Sequence, residues 1–176
     1  PATFLKAVAP QANVEAMRMI TLFAASLSDF GHASGDESVR DALDLLDFLI
    51  PICKAGNTDL GWLITGEAIQ VYGGYGYCSD YPVEQLARDS KILAIYEGTN
   101  GIQSIDLAMR KILMNPGMKL YRLFKSRIME TVNRAESIVE SRYVTALVRG
   151  IVRMDEAVAG LVPLMDSGDM AAVFAA

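Results

Sequence analysis

The chain has 176 residues, 52% of them apolar and 21% charged, which excludes a disordered or collagen-like polypeptide and allows one domain with a small appendage. A globular chain of this size buries roughly 70% of its unfolded surface, enough for a core without covalent staples. Sixteen Lys and Arg against 21 Asp and Glu leave a net charge of −5, which argues against a nucleic-acid partner, since phosphate binding needs a basic face.

Apolar spacing predicts helix nearly everywhere and no strand of any length. From Gln11 to Asp29, Val14, Met17, Ile20, Phe23 and Leu27 recur at threes and fours and mark one helical face. The run from Gly31 to Asp36 is expected to break that helix. Ser38 is expected to cap a second one, with Val39, Leu43, Leu46 and Ile50 on one face, which Pro51 ends or kinks. Asn57 or Thr58 then caps a third helix through Val71, with Leu60, Leu63, Ile64 and Ala68 inward and Trp62 on its flank. The stretch from Tyr72 to Tyr81 has neither periodicity. Pro82 suits the first turn of the next helix, which holds Val83, Leu86, Ile92 and Ile95 and gives way at Glu97-Gly98. Thr99 is placed to cap a fifth helix carrying Ile102, Ile105, Leu107 and Met109. Asn115-Pro116-Gly117 is the clearest boundary signal in the chain. Beyond it one apolar stripe runs from Leu120 to Val139 and another from Val144 to Leu161, with Pro163 closing the second. A loop at Asp166–Asp169 precedes a last helix. The expected fold is all-α, an antiparallel up-down helical bundle over 1–114 with additional C-terminal helices over 118–176.

Most chemistries lack their residues here. Two cysteines, Cys53 and Cys78, are too few for a disulfide framework, and with the single His32 they offer no metal site. Free thiols fit a reducing compartment. One histidine without a matched acid gives no Ser-His-Asp or Cys-His centre, and no apolar run reaches the ~18 residues of a spanning helix. Gly98-Thr99-Asn100-Gly101 matches a G-x-x-G loop but lacks the strands and basic surface of that RNA-binding module. The nine methionines read as core filling. Arg122, Lys125 and Arg127 read as the solvated side of a helix, and Arg88, Asp89 and Lys91 as local ion pairs.

What stands out lies between Gln70 and Gln103, where Tyr72, Tyr75, Tyr77, Tyr81 and Tyr96 are five of the seven tyrosines. Glycines let a backbone approach a ligand closely, and clustered N–H groups near helix ends bind phosphate. Gly73-Gly74-Tyr75-Gly76 reads equally as a tight interhelical connection, and no strand precedes it as a dinucleotide fingerprint requires. Glu97, beside Gly98 at a helix junction, can reach into a cleft and be partly desolvated toward the range of a general base. A lone Glu in a loop is more often a solvated surface charge.

Three linked stretches carry a resemblance. Gly66-Glu67-Ala68-Ile69-Gln70-Val71-Tyr72-Gly73-Gly74-Tyr75-Gly76-Tyr77, then Tyr81-Pro82-Val83-Glu84-Gln85-Leu86-Ala87-Arg88-Asp89-Ser90-Lys91-Ile92, then Ile95-Tyr96-Glu97-Gly98-Thr99-Asn100-Gly101-Ile102-Gln103 together resemble the C-terminal helical domain of acyl-CoA dehydrogenases. The detailed match covers 60 to 113, residues 11 to 54 fit more loosely, and the region from 118 onward is similar to extra helices of a larger-subunit branch. The resemblance implies FAD as cofactor and an acyl-CoA thioester oxidised to the trans-2-enoyl-CoA. Glu97 would remove the pro-R α-proton while the β-hydride passes to flavin N5. Tyr96 and Gly98 would meet the substrate, Gly98 near the thioester, and Thr99 would touch the flavin cofactor. Gln70, Gly73 and Gly74 would hold the FAD pyrophosphate of a neighbouring subunit. Many relatives carry Gln two positions after the Thr; Gly101 stands there in this chain, so the cofactor contact implied is through backbone.

The same resemblance implies a homodimer or homotetramer, an electron-transfer flavoprotein as acceptor, and a bacterial cytoplasm or mitochondrial matrix as compartment. An acyl-CoA oxidase, or a non-catalytic helical oligomerisation module on the same scaffold, are the alternatives. The chain begins at Pro1 without an initiator Met and ends in an apolar stretch, so it is expected to be a piece of a longer polypeptide. The family's N-terminal helical domain and middle β-domain lie outside it, so the chain alone is expected to fold as a bundle, to bind FAD weakly or not at all, and to be inactive.

Overall fold

A computed structural model describes the backbone of residues 2–33 and 37–175, with the side chains of 9–32 and 39–174. Among the described residues there are helices and turns and no strand, so the all-α expectation holds. Among the described residues no helix is long and apolar enough to cross a membrane. The chain divides into two compact units, Pro1–Ser104 and Ile105–Ala176.

The first unit is built on two long helices, α1 (Ala2–Ala33) and α2 (Glu37–Tyr72). They run antiparallel. The Leu43 side chain lies over Gly31, Cys53 Sγ approaches the Ile20 carbonyl at 3.9 Å, and Asn57 Nδ2 donates to Thr21 Oγ1 at 2.9 Å. Three local expectations give way. α1 continues through Gly31 to Ala33, and the rest of the expected break, 34–36, lies outside the described residues. Ser38 stands inside the first turn of α2 rather than before it. Most telling, α2 runs unbroken through Pro51, Asn57 and Thr58. A proline in a helix interior costs about 3 kcal/mol. Pro51 and Phe48 are fully buried, as are Leu45 and Leu49 nearly so, and each such side chain contributes roughly 1.5–3 kcal/mol on burial. Packing outweighs the missing donor. Thr58 then bonds back to the Lys54 carbonyl at 2.9 Å in mid-helix instead of capping.

After α2 a 3-10 turn over Gly73–Tyr77 reverses the chain, and α3 (Val83–Ile92) follows, with Pro82 at its N-cap, one residue ahead of the first turn expected for it. α3 buries Val83, Ala87 and Ser90 and packs back on α2. Arg88 pairs with Glu84 at 3.1 Å, one turn earlier, and the Lys91 ammonium sits 5.2 Å from the Trp62 ring centre, which holds Trp62 on the flank of α2. The helix α4 (Asn100–Ile105) starts at the expected cap, because Thr99 Oγ1 accepts the Ile102 N–H at 3.2 Å.

The second unit opens on a π-helical stretch, Asp106–Leu113, that periodicity of 3.6 does not anticipate. Its wider turn closes with Met114 N–H donating to the Met109 carbonyl at 2.8 Å, and Met109, Lys111 and Ile112 are all buried. The boundary signal at Asn115-Pro116-Gly117 is a real break, with Gly117 and Met118 both at positive φ. α5 (Lys119–Ala135) and α6 (Ser141–Asp166) then pair. Pro163 lies within α6 rather than closing it, since one lost donor near an exposed end costs the helix little, and Ser167 still donates to the Pro163 carbonyl at 3.0 Å. Asp169 Oδ1 caps α7 (Met170–Ala175) by accepting the Ala172 N–H at 3.0 Å.

A polar cluster ties α5 to α6, so Lys125 is not merely solvated. Its Nζ donates to both Asp155 oxygens at 2.5 and 2.6 Å, and the buried Tyr121 hydroxyl donates to Oδ1 at 2.8 Å. Lys125, and then Tyr121, hold the Asp155 carboxyl below the usual carboxylate range. Burial, reinforced by Asp155, pushes the Tyr121 hydroxyl above the ordinary phenol range. Because the folded Asp155 value is depressed, its contribution is complete above about pH 4 and is lost as pH falls through the depressed value. Tyr121→Phe removes one charge-assisted bond from a buried position and is expected to cost about 1.5 kcal/mol; urea unfolding at neutral pH checks this, and an unchanged midpoint refutes it.

Candidate functional site

The corner after α2 uses its glycines in three different ways. Gly73 turns the chain at φ +66°, a conformation that side-chain-bearing residues rarely adopt. Gly74 is exposed, and a Cβ there would meet open space. Gly76 is buried, and a Cβ on it would lie 2.8 Å from the Ile69 carbonyl oxygen and 2.7 Å from Tyr72 Cβ. This close approach lets the turn fold back on the end of α2. Cys78 N–H closes it by donating to the Tyr75 carbonyl at 3.1 Å. The Tyr81 ring packs edge-on to Tyr72 at 6.0 Å and tilted to Tyr75 at 5.7 Å between centres. Gln70, Gly73 and Gly74 are left exposed on the outside of this braced corner. With positive φ at Gly73 and no side chain at Gly74, the backbone here is open to close approach by another group.

The second cluster is the junction between α3 and α4. Asn100 N–H donates across it to the Ala94 carbonyl at 3.1 Å, which sets Ile95, Tyr96, Glu97, Gly98 and Thr99 out as a closed five-residue loop. Glu97 occupies its middle. Its φ is +51°, one of two non-glycine residues of the described chain in the left-handed region, and Gly98 follows at +88°. A non-glycine residue held there costs on the order of 1–3 kcal/mol and persists only where neighbours over-determine it. Gly98 is required by its backbone rather than by space: φ +88° strains any side chain, while the Gln103 amide that a Cβ would approach to 2.9 Å is the movable end of a flexible side chain. Tyr96, Glu97, Thr99 and Gly101 are exposed and Gly98 is half-buried. Of the two readings of Glu97, this chain by itself presents the solvated one, since the junction alone does not desolvate the carboxylate. A cavity of about 400 Å³ belongs to the second unit, lined by residues including Tyr121, Lys125 and Asp155.

The structure thus gathers Tyr96, Glu97, Gly98, Thr99 and Gly101 at one junction and Gln70, Gly73 and Gly74 at one corner. Among the described residues no hydrogen bond or ring contact links the two groups. Thr99 spends its lone pair on the Ile102 N–H and keeps its own proton to donate. Both cysteines are free, and among the described residues no group of acids, histidines and thiols could hold a metal.

Sequence reasoning missed Asn100. Its side chain reaches back to α2, where Lys54 Nζ donates to its Oδ1 at 3.0 Å and its Nδ2 donates to Asp59 Oδ1 at 2.8 Å and Thr58 Oγ1 at 2.9 Å. No local signal could have found it, because the partners lie more than forty residues earlier in the chain.

Residues 5–112 match the family model described as "Acyl-CoA dehydrogenase, C-terminal domain". A butyryl-CoA dehydrogenase of Syntrophomonas wolfei is 39% identical over 105 residues, 59% of this chain and 17% of that protein. A broad-specificity linear acyl-CoA dehydrogenase of Mycobacterium tuberculosis is 34% identical over 112 residues, 62% of this chain and 18% of the relative. An acryloyl-CoA reductase (NADH) of Anaerotignum propionicum is 38% identical over 93 residues, 53% of this chain and 21% of its own length. The chain thus spans about a fifth of each of these relatives.

Proposed function

The chain belongs to the acyl-CoA dehydrogenase family, and from that premise we propose that it supplies the catalytic base and part of a shared FAD site to a longer flavoenzyme that dehydrogenates an acyl-CoA thioester at its α and β carbons. The observation that carries this reading is Glu97 itself, held in the left-handed region at the centre of a closed loop and followed by a glycine. An α-proton beside a thioester is only weakly acidic, so a base must be positioned against it and the developing enolate charge met by donors already in place. Glu97 takes the α-proton. Gly98, without a Cβ, lets its backbone approach the thioester oxygen, and Tyr96 flanks the acyl group. Thr99 and the Gly101 backbone meet the cofactor, while Gln70, Gly73 and Gly74 hold the pyrophosphate of the FAD in a neighbouring subunit. The chemistry that a bound FAD supplies is acceptance of the β-hydride.

The family match runs to residue 112, past the limit of the first compact unit at 104, so the working segment is proposed as 1–114 and 118–176 as a helical extension. Glu97 is exposed on this chain, so water is excluded from it by parts of the enzyme beyond this chain. The chain alone is for that reason inactive and binds FAD weakly. A homodimer or homotetramer follows from the shared cofactor site, and an electron-transfer flavoprotein is the proposed acceptor, in a bacterial cytoplasm or mitochondrial matrix.

The test is anaerobic mixing of the flavin-loaded full-length protein with saturated acyl-CoAs. Flavin absorbance is expected to bleach with formation of the 2-enoyl-CoA; no bleaching with any chain length refutes the reading. Slow reoxidation of the reduced protein by oxygen separates a dehydrogenase from an oxidase.

A further inference from the structure

We propose that Asn100 is a positioning residue for the Glu97 carboxylate, acting as a clamp that joins the loop bearing the base to the middle of α2. The inference rests on the reading of Glu97 given above and adds a residue to it. Asn100 closes the loop through its backbone, by donating to the Ala94 carbonyl at 3.1 Å, and anchors it through its side chain. The two halves of that side chain face opposite charges. The amide oxygen accepts from the Lys54 ammonium at 3.0 Å and lies 3.1 Å from the Thr58 hydroxyl oxygen. The amide nitrogen donates to the Asp59 carboxylate at 2.8 Å, to Thr58 Oγ1 at 2.9 Å and to the Ala55 carbonyl at 3.3 Å. An ammonium on one side and a carboxylate on the other permit only one orientation of the amide, and the half-buried site strengthens each bond relative to water.

This anchoring accounts for a feature that the loop cannot explain from within. Glu97 at φ +51° holds an unfavourable conformation, whereas Gly98 at φ +88° takes up its own without strain, and Glu97 relaxes if either end of the loop is released. The Ala94 end is carried by the last turns of α3, through Ile95 and Tyr96 N–H groups donating to the Ile92 carbonyl at 2.9 and 3.2 Å. The other end leads into α4, which continues without a break into the helical stretch Asp106–Leu113; bonds along that helix do not fix where the loop lies against α2. The Asn100 side chain supplies the missing attachment, and α2 is the rigid element it attaches to.

The experiment uses the flavin-loaded full-length enzyme. In Asn100→Ala the rate of flavin reduction is expected to fall by roughly 10–100-fold, the scale of an ångström-sized misplacement of a reacting group. Acyl-CoA affinity stays within about twofold, and the melting temperature falls by no more than a few degrees as the Lys54 and Asp59 bonds are lost. Amide exchange over 95–99, followed without substrate, speeds up by roughly tenfold or more while that over 73–81 does not move. Asn100→Asp sets a carboxylate against Asp59 and is expected to be as slow, and adding Asp59→Asn restores most of the rate by returning a donor to that contact. Wild-type reduction and exchange in Asn100→Ala overturn the proposal, as does a loss of rate that follows only weakened acyl-CoA binding or stability. An Asn100→Asp defect that Asp59→Asn leaves uncorrected also overturns it. Glu97→Gln run beside these separates the two readings: if it reduces flavin at the wild-type rate the base assignment itself falls, and if it is inactive while Asn100→Ala is normal only the clamp falls.

Discussion

Glu97→Gln in the flavin-loaded full-length enzyme is expected to lower the rate of flavin reduction by acyl-CoA on the order of 10³-fold or more, with acyl-CoA affinity nearly unchanged. Gln matches Glu in size and keeps hydrogen-bonding ends, so it preserves the loop geometry and removes only the ability to accept a proton. The loss must therefore fall on the chemical step and not on binding. The backbone sharpens the test. At φ +51° a glycine is more at ease than a glutamate, so Glu97→Gly is expected to be at least as stable as the wild type while being equally inactive. A side chain whose backbone conformation is unfavourable, and whose removal steadies the fold, contributes something other than stability. Stopped-flow reduction and thermal unfolding of the two variants give the answer. Retained reduction in Glu97→Gln removes the residue from the mechanism, and a destabilised Glu97→Gly makes it a structural loop residue.

How much of this was legible in the amino-acid sequence depended on the range of the interaction. The all-α architecture and the cap at Thr99 are local matters: apolar spacing reports the first, and a hydroxyl three residues before the N–H it accepts reports the second. Pro51 misleads because its penalty is local while its compensation is tertiary, in the burial of Leu45, Phe48, Leu49 and its own ring. The Asn100 clamp joins residues on two helices and leaves no periodic trace. The π-helical stretch at Asp106–Leu113 follows apolar residues that read equally well as an ordinary turn. For the site, residue types and order pointed to the corner and the junction, but the positive φ of Glu97 did not show, because Gly98 next to it is the expected place for such a conformation. The exposure of Glu97 on this chain matches the usual state of a lone loop carboxylate: a junction can aim a carboxylate, whereas drying it takes walls around it.

Gly76→Ala is expected to be the most damaging single-carbon change in the first unit. The added Cβ would lie 2.8 Å from the Ile69 carbonyl oxygen and 3.1 Å from Ile69 Cα. Both are backbone atoms of α2, so no side-chain rotation relieves the overlap, and the turn must lift off the helix. Overpacking of this kind costs about 1–3 kcal/mol, and here it also parts Tyr81 from Tyr72 and Tyr75. Gly74→Ala is the matched control, since its Cβ meets open space and its effect on stability is expected to stay within about 0.5 kcal/mol. The two variants then divide structure from ligand contact. Gly76→Ala loses stability in urea unfolding, and loses FAD with it. In the flavin-loaded full-length enzyme Gly74→Ala keeps its stability and still releases FAD more readily, because the bare backbone proposed to meet the pyrophosphate now carries a methyl group. If Gly74→Ala binds FAD as the wild type does, the phosphate site is elsewhere and the glycine pair is only a connection. If Gly76→Ala is as stable as Gly74→Ala, the close approach to Ile69 is not what holds the corner in place.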